Sequence, residues 1–179
     1  MQNHNFNWRS KVAILLLMVA LCSALTTPSQ RKRLPKGYFL ISGAAGLSQS
    51  DFGVGVLDRF VALAGGPDAN YVYIPTASSG IKLDDGFIYT PPDSDVPADN
   101  THAFEIELAK MFGVKRITIV HSRNRQTANQ ASFVEPLRKA NAVWISGGNS
   151  GRLADAYLGT LTEKEIKAVA ERGGVVGGN

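Results

Sequence analysis

Ala142-Val143-Trp144-Ile145-Ser146-Gly147-Gly148 decides the fold. Four apolar residues run without a polar break, and two glycines follow one position later. A strand that is apolar on both faces is covered by helices on both sides, as in a parallel sheet. The same form recurs along the chain. Tyr38-Phe39-Leu40-Ile41 lies between Gly37 and Gly43, and Tyr71-Val72-Tyr73-Ile74 is ended by Pro75. Residues 116–120 and Val175-Val176 complete a set of five predicted strands. Between them the spacing turns helical. Val54, Leu57, Phe60, Val61 and Ala64 mark a helix over 53–64, which Gly65-Gly66-Pro67 stops. Further helices are predicted over about 98–112, over 129–139 with an interruption at Pro136, over 152–158 and over 162–172. Thr162 and Glu165 stand at capping-box spacing in the last of these. Residues 77–98, rich in Asp, Pro and Gly, read as one long loop. Strands alternating with helices give an α/β fold, a three-layer parallel sheet with ligands collecting at the carboxyl ends of the strands.

The chain has 179 residues, 44% of them hydrophobic and 19% charged, which excludes disorder and multiple membrane spans. Its length suits one α/β domain with a real core. A single Cys excludes a disulfide framework and a Cys-based zinc knuckle. The net charge of +4 is misleading, because six basic residues and no acidic one precede Gly37. From Gly37 onward 13 basic residues face 15 acidic ones, so the body is slightly acidic and carries no nucleic-acid footprint.

The excess positive charge belongs to the leader. Residues 1–11 are polar with Arg9 and Lys11, residues 12–21 are apolar, and Cys22-Ser23-Ala24 follows. That order is the pattern of a secretory signal over 1–24, cleaved after Ala24, which makes the protein secreted or periplasmic. The apolar run is short of the ~20 residues of a transmembrane helix, so no stable membrane span is expected after cleavage. Cleavage also removes Cys22 and excludes a thiol nucleophile. Residues 25–36, with Arg31, Lys32, Arg33 and Lys36, read as a basic linker, and 37–179 as the domain.

Candidate chemistry sits in the loops. Ser42-Gly43-Ala44-Ala45-Gly46 lacks the G-x-G-x-x-G spacing, and Asp58 and Asp68 are badly placed to read a ribose, so a dinucleotide site is not indicated. Gly147 and Gly148 open backbone N–H groups at the sheet's carboxyl edge. Such groups stabilise an oxyanion in acyl transfer, or simply make a turn. Gly177-Gly178-Asn179 has the form of the approach to a nucleophile elbow, in which the nucleophile would follow Asn179. His102 and His121 share no ligand spacing and read as ordinary polar residues. Asp84, Asp85, Asp93, Asp95 and Asp99 read as a solvated loop, and Glu105 and Glu107 do not share a helix face.

Several of these stretches together resemble the cyanophycinase-like serine peptidases, a group that includes aspartyl dipeptidases. They are Phe60-Val61-Ala62-Leu63-Ala64-Gly65-Gly66, Tyr71-Val72-Tyr73-Ile74-Pro75-Thr76-Ala77-Ser78, Ala142 to Gly148 followed by Arg152-Leu153, and Gly173 to Gly178. The resemblance implies a fold similar to class I glutamine amidotransferases and a serine acyl-enzyme. It implies a histidine base, an acidic orienting residue, a peptide substrate and no cofactor or metal. Cyanophycinases release β-aspartyl-arginine from a polymer of aspartate bearing arginine branches. Gly147, Gly148, Asn149 and Ser150 become the expected oxyanion and substrate-binding residues. The family usually has Asp-Gln after the twin glycines, where this chain has Asn149 and Ser150, and a serine hydroxyl does not reach as far as a glutamine amide.

On this reading the domain is truncated after its fifth strand and inactive by itself, with no catalytic residue inside it. A homodimer is compatible with it. Val175-Val176, with no helix after it, is expected to be poorly covered and to lower solubility. The alternative is a secreted, non-catalytic small-ligand-binding module on a flavodoxin-like scaffold.

Overall fold

The computed structural model describes residues 37–43 and 55–179. The predicted signal and linker, Ala44 to Gly46 of the first loop and the start of the first predicted helix lie outside the described residues. Along the chain come β1 (Tyr38–Ile41), α1 (Val56–Ala64), β2 (Tyr71–Ile74), β3 (Ile81–Lys82), β4 (Ile88–Tyr89), α2 (Thr101–Phe112) and β5 (Ile117–Ile119). Then follow α3 (Arg125–Ala128), α4 (Glu135–Lys139), β6 (Ala142–Ile145), α5 (Ser150–Tyr157), α6 (Leu161–Glu171) and β7 (Val175–Gly178).

Five strands form one parallel sheet in the order β1-β7-β6-β2-β5. Successive side chains of a strand point to opposite faces, and the strands divide accordingly. Tyr71, Tyr73, Ile117, Ala142, Trp144 and Val175 pack with Leu57 and Phe60 of α1 and with Phe104, Leu108 and Phe112 of α2. Val72, Ile74, Val143 and Val176 pack on the other side with Ala128, Leu137, Tyr157 and Val169 of α3 to α6. This is the three-layer α/β fold expected from the apolar runs.

Trp144 is the centre of the first layer. It is fully buried, with Phe60 edge-on at 5.0 Å and 89° and Phe112 at 5.7 Å. Gly177 on the neighbouring strand makes room for it: a Cβ there would come 2.8 Å from the indole ring.

Four local expectations are corrected. The 77–98 loop contains the antiparallel β3–β4 hairpin, because its few apolar residues reach the core. Ile81, Leu83 and Tyr89 are buried, and Tyr89 stacks on Phe104 at 4.2 Å. The single helix over 129–139 is two short ones. Asn124 caps α3 by accepting from the Gln126 N–H, and Pro136 lies in the first turn of α4, where a missing N–H is harmless. The last helix begins two residues earlier than the capping-box spacing implies. Thr160 is its N-cap residue, Glu163 accepts from the Gly159 N–H, and Thr162 is buried with its hydroxyl on the Ala128 carbonyl. Finally, β7 is an interior strand, and Val175 and Val176 are buried under α1 and α6. Within the five-stranded sheet the exposed large apolar residues lie instead on the edge strand β1, where Phe39 is 71% and Ile41 90% exposed.

Candidate functional site

In a parallel sheet all carboxyl ends open on one edge, and five segments meet there. They are 42–43 after β1, 75–80 after β2, 120–124 after β5, 146–149 after β6 and Asn179 after β7. Strands β6 and β7 run in register, with Ile145 opposite Gly178, and the Asn179 N–H extends their ladder to the Ile145 carbonyl at 3.3 Å. Gly147 and Gly178 are therefore at the same end of adjacent strands.

Asn179 joins the two strand ends through its side chain. Its Oδ1 accepts from the Gly147 N–H at 3.1 Å and from the indole Nε1–H of Trp144 at 3.3 Å. A Cβ on Gly147 would lie 2.9 Å from the Asn179 carbonyl oxygen, so only glycine allows this approach.

The four expected site residues separate by what their backbone groups do. The Gly147 N–H is occupied by Asn179. Among the described residues nothing accepts from the Gly148 N–H, which leaves that amide open at the edge. Asn149 is the N-cap of α5: its N–H donates to the Ala77 carbonyl at 2.8 Å and its Oδ1 accepts from the Gly151 N–H at 2.8 Å. Ser150 is the exposed first residue of α5. The N-terminal end of α5 thus faces this edge with its partial positive charge, beside the open amide.

Asn179→Ala is expected to remove the acceptor that the Gly147 and Trp144 N–H groups share, at a cost of about 1–3 kcal/mol. Asn179→Asp keeps an acceptor oxygen and should cost less. Thermal unfolding and the indole Nε1–H resonance of Trp144 read both variants; an unmoved resonance in Asn179→Ala would show that the bond does not form.

A second polar group lies between β2 and β5. Thr76 Oγ1 is 2.9 Å from His121 Nδ1 and 2.8 Å from the Tyr157 hydroxyl, and His121 Nε2 is 2.8 Å from the Pro92 carbonyl. The Ser122 hydroxyl donates to Asp95 Oδ1 at 2.5 Å and the Thr127 hydroxyl to Oδ2 at 2.7 Å. These two hydroxyls hold the Asp95 carboxyl below its ordinary pKa. Burial pushes the Tyr157 phenol up and His121 down. His121 is thus a half-buried, doubly bonded residue rather than an ordinary loop histidine. Arg123 beside it pairs with Asp93 and donates to the Ser78 carbonyl. Below the edge, the Tyr73 hydroxyl and Ser146 Oγ are buried near each other without completing a hydrogen bond of normal geometry, and burial raises the tyrosine pKa.

The remaining candidates stay apart. His102 is on the surface of α2 beside Glu105, which also accepts from the Ile119 N–H, while Glu107 pairs with Lys110. Among the described residues no group of three or more His, Cys, Asp and Glu gathers to hold a metal ion. Thr76, Ser122, Tyr157 and Asn179 were not singled out for these contacts. A usable signal exists for three of them: each is a polar residue one to three positions beyond the end of an apolar strand.

No protein-family model matches the chain, and no curated protein matches it in sequence. Among solved structures it is similar in fold to a peptidase from an acI-B1 Actinobacterium, with a TM-score of 0.55 and 19% sequence identity. The match covers 82% of this chain and 55% of that one, so the chain spans about half the length of the structure it resembles.

Proposed function

We propose that this chain forms the amino-terminal part of an exported serine-type peptidase, of the cyanophycinase-like kind its sequence resembles, acting on aspartyl peptides through an acyl-enzyme. One observation carries the reading: the end of β7 meets the Gly147–Gly148 loop, with Asn179 Oδ1 3.1 Å from the Gly147 nitrogen. A serine in the position after Asn179 would stand beside that loop. The open amide of Gly148 is then the donor for the oxyanion, since the Gly147 N–H is already committed to Asn179. A donor held in place before reaction stabilises developing charge without reorganising, worth roughly 3–4 kcal/mol in such sites.

Asn149 and Ser150 serve this reading unequally. Asn149 is spent on capping α5, whereas Ser150 is exposed and free to meet substrate. The general base is not His121, whose two ring nitrogens are engaged by Thr76 and Pro92. It belongs, with the acid that orients it, to sequence beyond Asn179. The 179-residue chain by itself is expected to be unreactive, because loss of the nucleophile removes almost all rate enhancement.

A serine-directed fluorophosphonate tests this directly. The 179-residue chain should stay unlabelled, and the polypeptide extended through the downstream codons should be labelled on the residue after Asn179. Labelling of the shorter chain, or an extended chain that neither labels nor cleaves α- or β-aspartyl dipeptides, would overturn the proposal. Binding of aspartyl dipeptides without any turnover would favour a ligand-binding module instead.

A further inference from the structure

The polar group around His121 has a single direction. The Pro92 carbonyl can only accept, so His121 Nε2, 2.8 Å away, carries the ring proton. Nδ1 of the neutral ring is then an acceptor and takes the Thr76 hydroxyl at 2.9 Å. Thr76 Oγ1 in turn accepts from the Tyr157 hydroxyl at 2.8 Å, and the Tyr157 oxygen accepts from the Ser122 N–H at 3.1 Å. Thr76, Ser122 and Tyr157 are all buried, so no solvent substitutes for a missing partner. The relay joins the ends of β2 and β5, helix α5 and the segment carrying Pro92. That segment, with His121, walls a cavity of about 60 Å³ that Tyr89, Asp95, Thr101 and Ile119 also line.

We infer that this relay is an acid-released latch: the neutral imidazole of His121 pins residues 90–94 against the carboxyl edge of the sheet, and protonation of its Nδ1 frees them. A protonated Nδ1 must donate to Thr76 Oγ1. One of the two hydroxyl protons, that of Thr76 or that of Tyr157, is then left in a buried place without its acceptor. The charged ring keeps its Nε2–H bond to Pro92, which favours the imidazolium, but the larger cost of burying its charge drives it toward water.

The groups around the ring come from every packed element. Asp95 is the one carboxylate that favours the imidazolium; Tyr89 faces it across the cavity and Tyr157 through Thr76. Glu105 of α2 is tied to the Ile119 N–H, and Arg123 is paired with Asp93. Burial outweighs Asp95 and holds the His121 pKa below its ordinary value. The unfolded chain therefore binds this proton more readily. The latch is fully closed above a pH of about 6.5, the ordinary histidine value, and opens as pH falls through the lower folded value. Asp95, held below the usual carboxylate range by Ser122 and Thr127, stays ionised there and acts as the hinge.

The latch stands independently of the peptidase reading and is tested on the 179-residue chain. Amide exchange, corrected for its intrinsic pH dependence, is followed at Ser122, whose N–H is held by the Tyr157 hydroxyl, between pH 7.5 and 5, with β2 and β6 as reference. Each pH unit between about 6.5 and the lower folded value should lower protection at this amide by up to about tenfold, levelling off below the folded value, and leave the sheet unchanged. His121→Gln, which keeps an N–H but cannot titrate, should abolish the response. The same response in His121→Gln, no response in the parent chain, or an equal loss across β2 and β6 would each refute the latch. Should His121→Gln fail to fold, ring ¹⁵N spectra of the parent chain decide: the Nε2–H tautomer and a lowered pKa support the latch, and the Nδ1–H tautomer or an ordinary pKa overturns it.

Discussion

Trp144→Ala is expected to cost about 3–5 kcal/mol, the usual penalty for emptying a buried aromatic site. In a domain of this size that lowers the melting temperature by roughly 10 °C or more. The indole is fully buried and is met edge-on by Phe60 and Phe112 at 5.0 and 5.7 Å. Its neighbours cannot collapse into the space, because Trp144 belongs to an interior strand whose backbone is paired on both sides, with β2 and β7. The floor beneath it is Gly177, which has no side chain to swing inward. Trp144→Phe keeps an aromatic ring in the site and loses the bond to Asn179, so it should cost less than half as much. Thermal or denaturant unfolding reads both. A Trp144→Ala variant within about 1 kcal/mol of the parent would mean that the indole is not the centre of this layer.

The second large effect concerns the candidate oxyanion loop. Gly148 has φ +137°, a conformation that side-chain-bearing residues avoid, and a Cβ there would lie 2.4 Å from the Ala77 carbonyl oxygen and 2.8 Å from its carbon. Both obstacles are backbone, and the Ala77 carbonyl is itself held by the Asn149 N–H. Gly148→Ala should therefore cost about 3 kcal/mol or more through strain and overpacking together. Gly80 is the control: it has no positive φ, and nothing lies within 4 Å of a Cβ placed there. Gly80→Ala should change stability by no more than about 0.5 kcal/mol. Equal melting temperatures for the two variants would show that the loop does not sit against Ala77.

The sheet was legible because its strands are written as continuous apolar runs with sharp ends. Residues 142–145 are bounded so clearly by Ser146 and the twin glycines that strand and loop fall where expected. The hairpin at 81–89 was not legible, since Ile81, Leu83 and Tyr89 are scattered among Asp, Gly and Pro, and only tertiary packing on Phe104 makes them strands. Pro136 misled in the opposite sense: a residue that interrupts a helix also starts one. Of the candidate site, the edge and its glycines could be read from the chain, since strand ends and small residues are local features. The His121 relay could not, because Thr76 is 45 positions from His121 and 81 from Tyr157, and no spacing rule links them. The division of labour between the Gly147 and Gly148 amides was equally hidden. It depends on a contact made by a residue 32 positions away, Asn179.

The strand order carries a consequence for biosynthesis. Among the described strands the first made, Tyr38–Ile41, pairs with the last, Val175–Gly178. At ribosomal speeds of about 5–20 residues per second, Tyr38 waits on the order of ten seconds for Val175 to emerge. Until then the backbone of β1 is without its strand partner, with β6, β2 and β5 free to assemble without it. A chaperone that shelters the region around residue 40 during translation would therefore guard a pairing that cannot begin early.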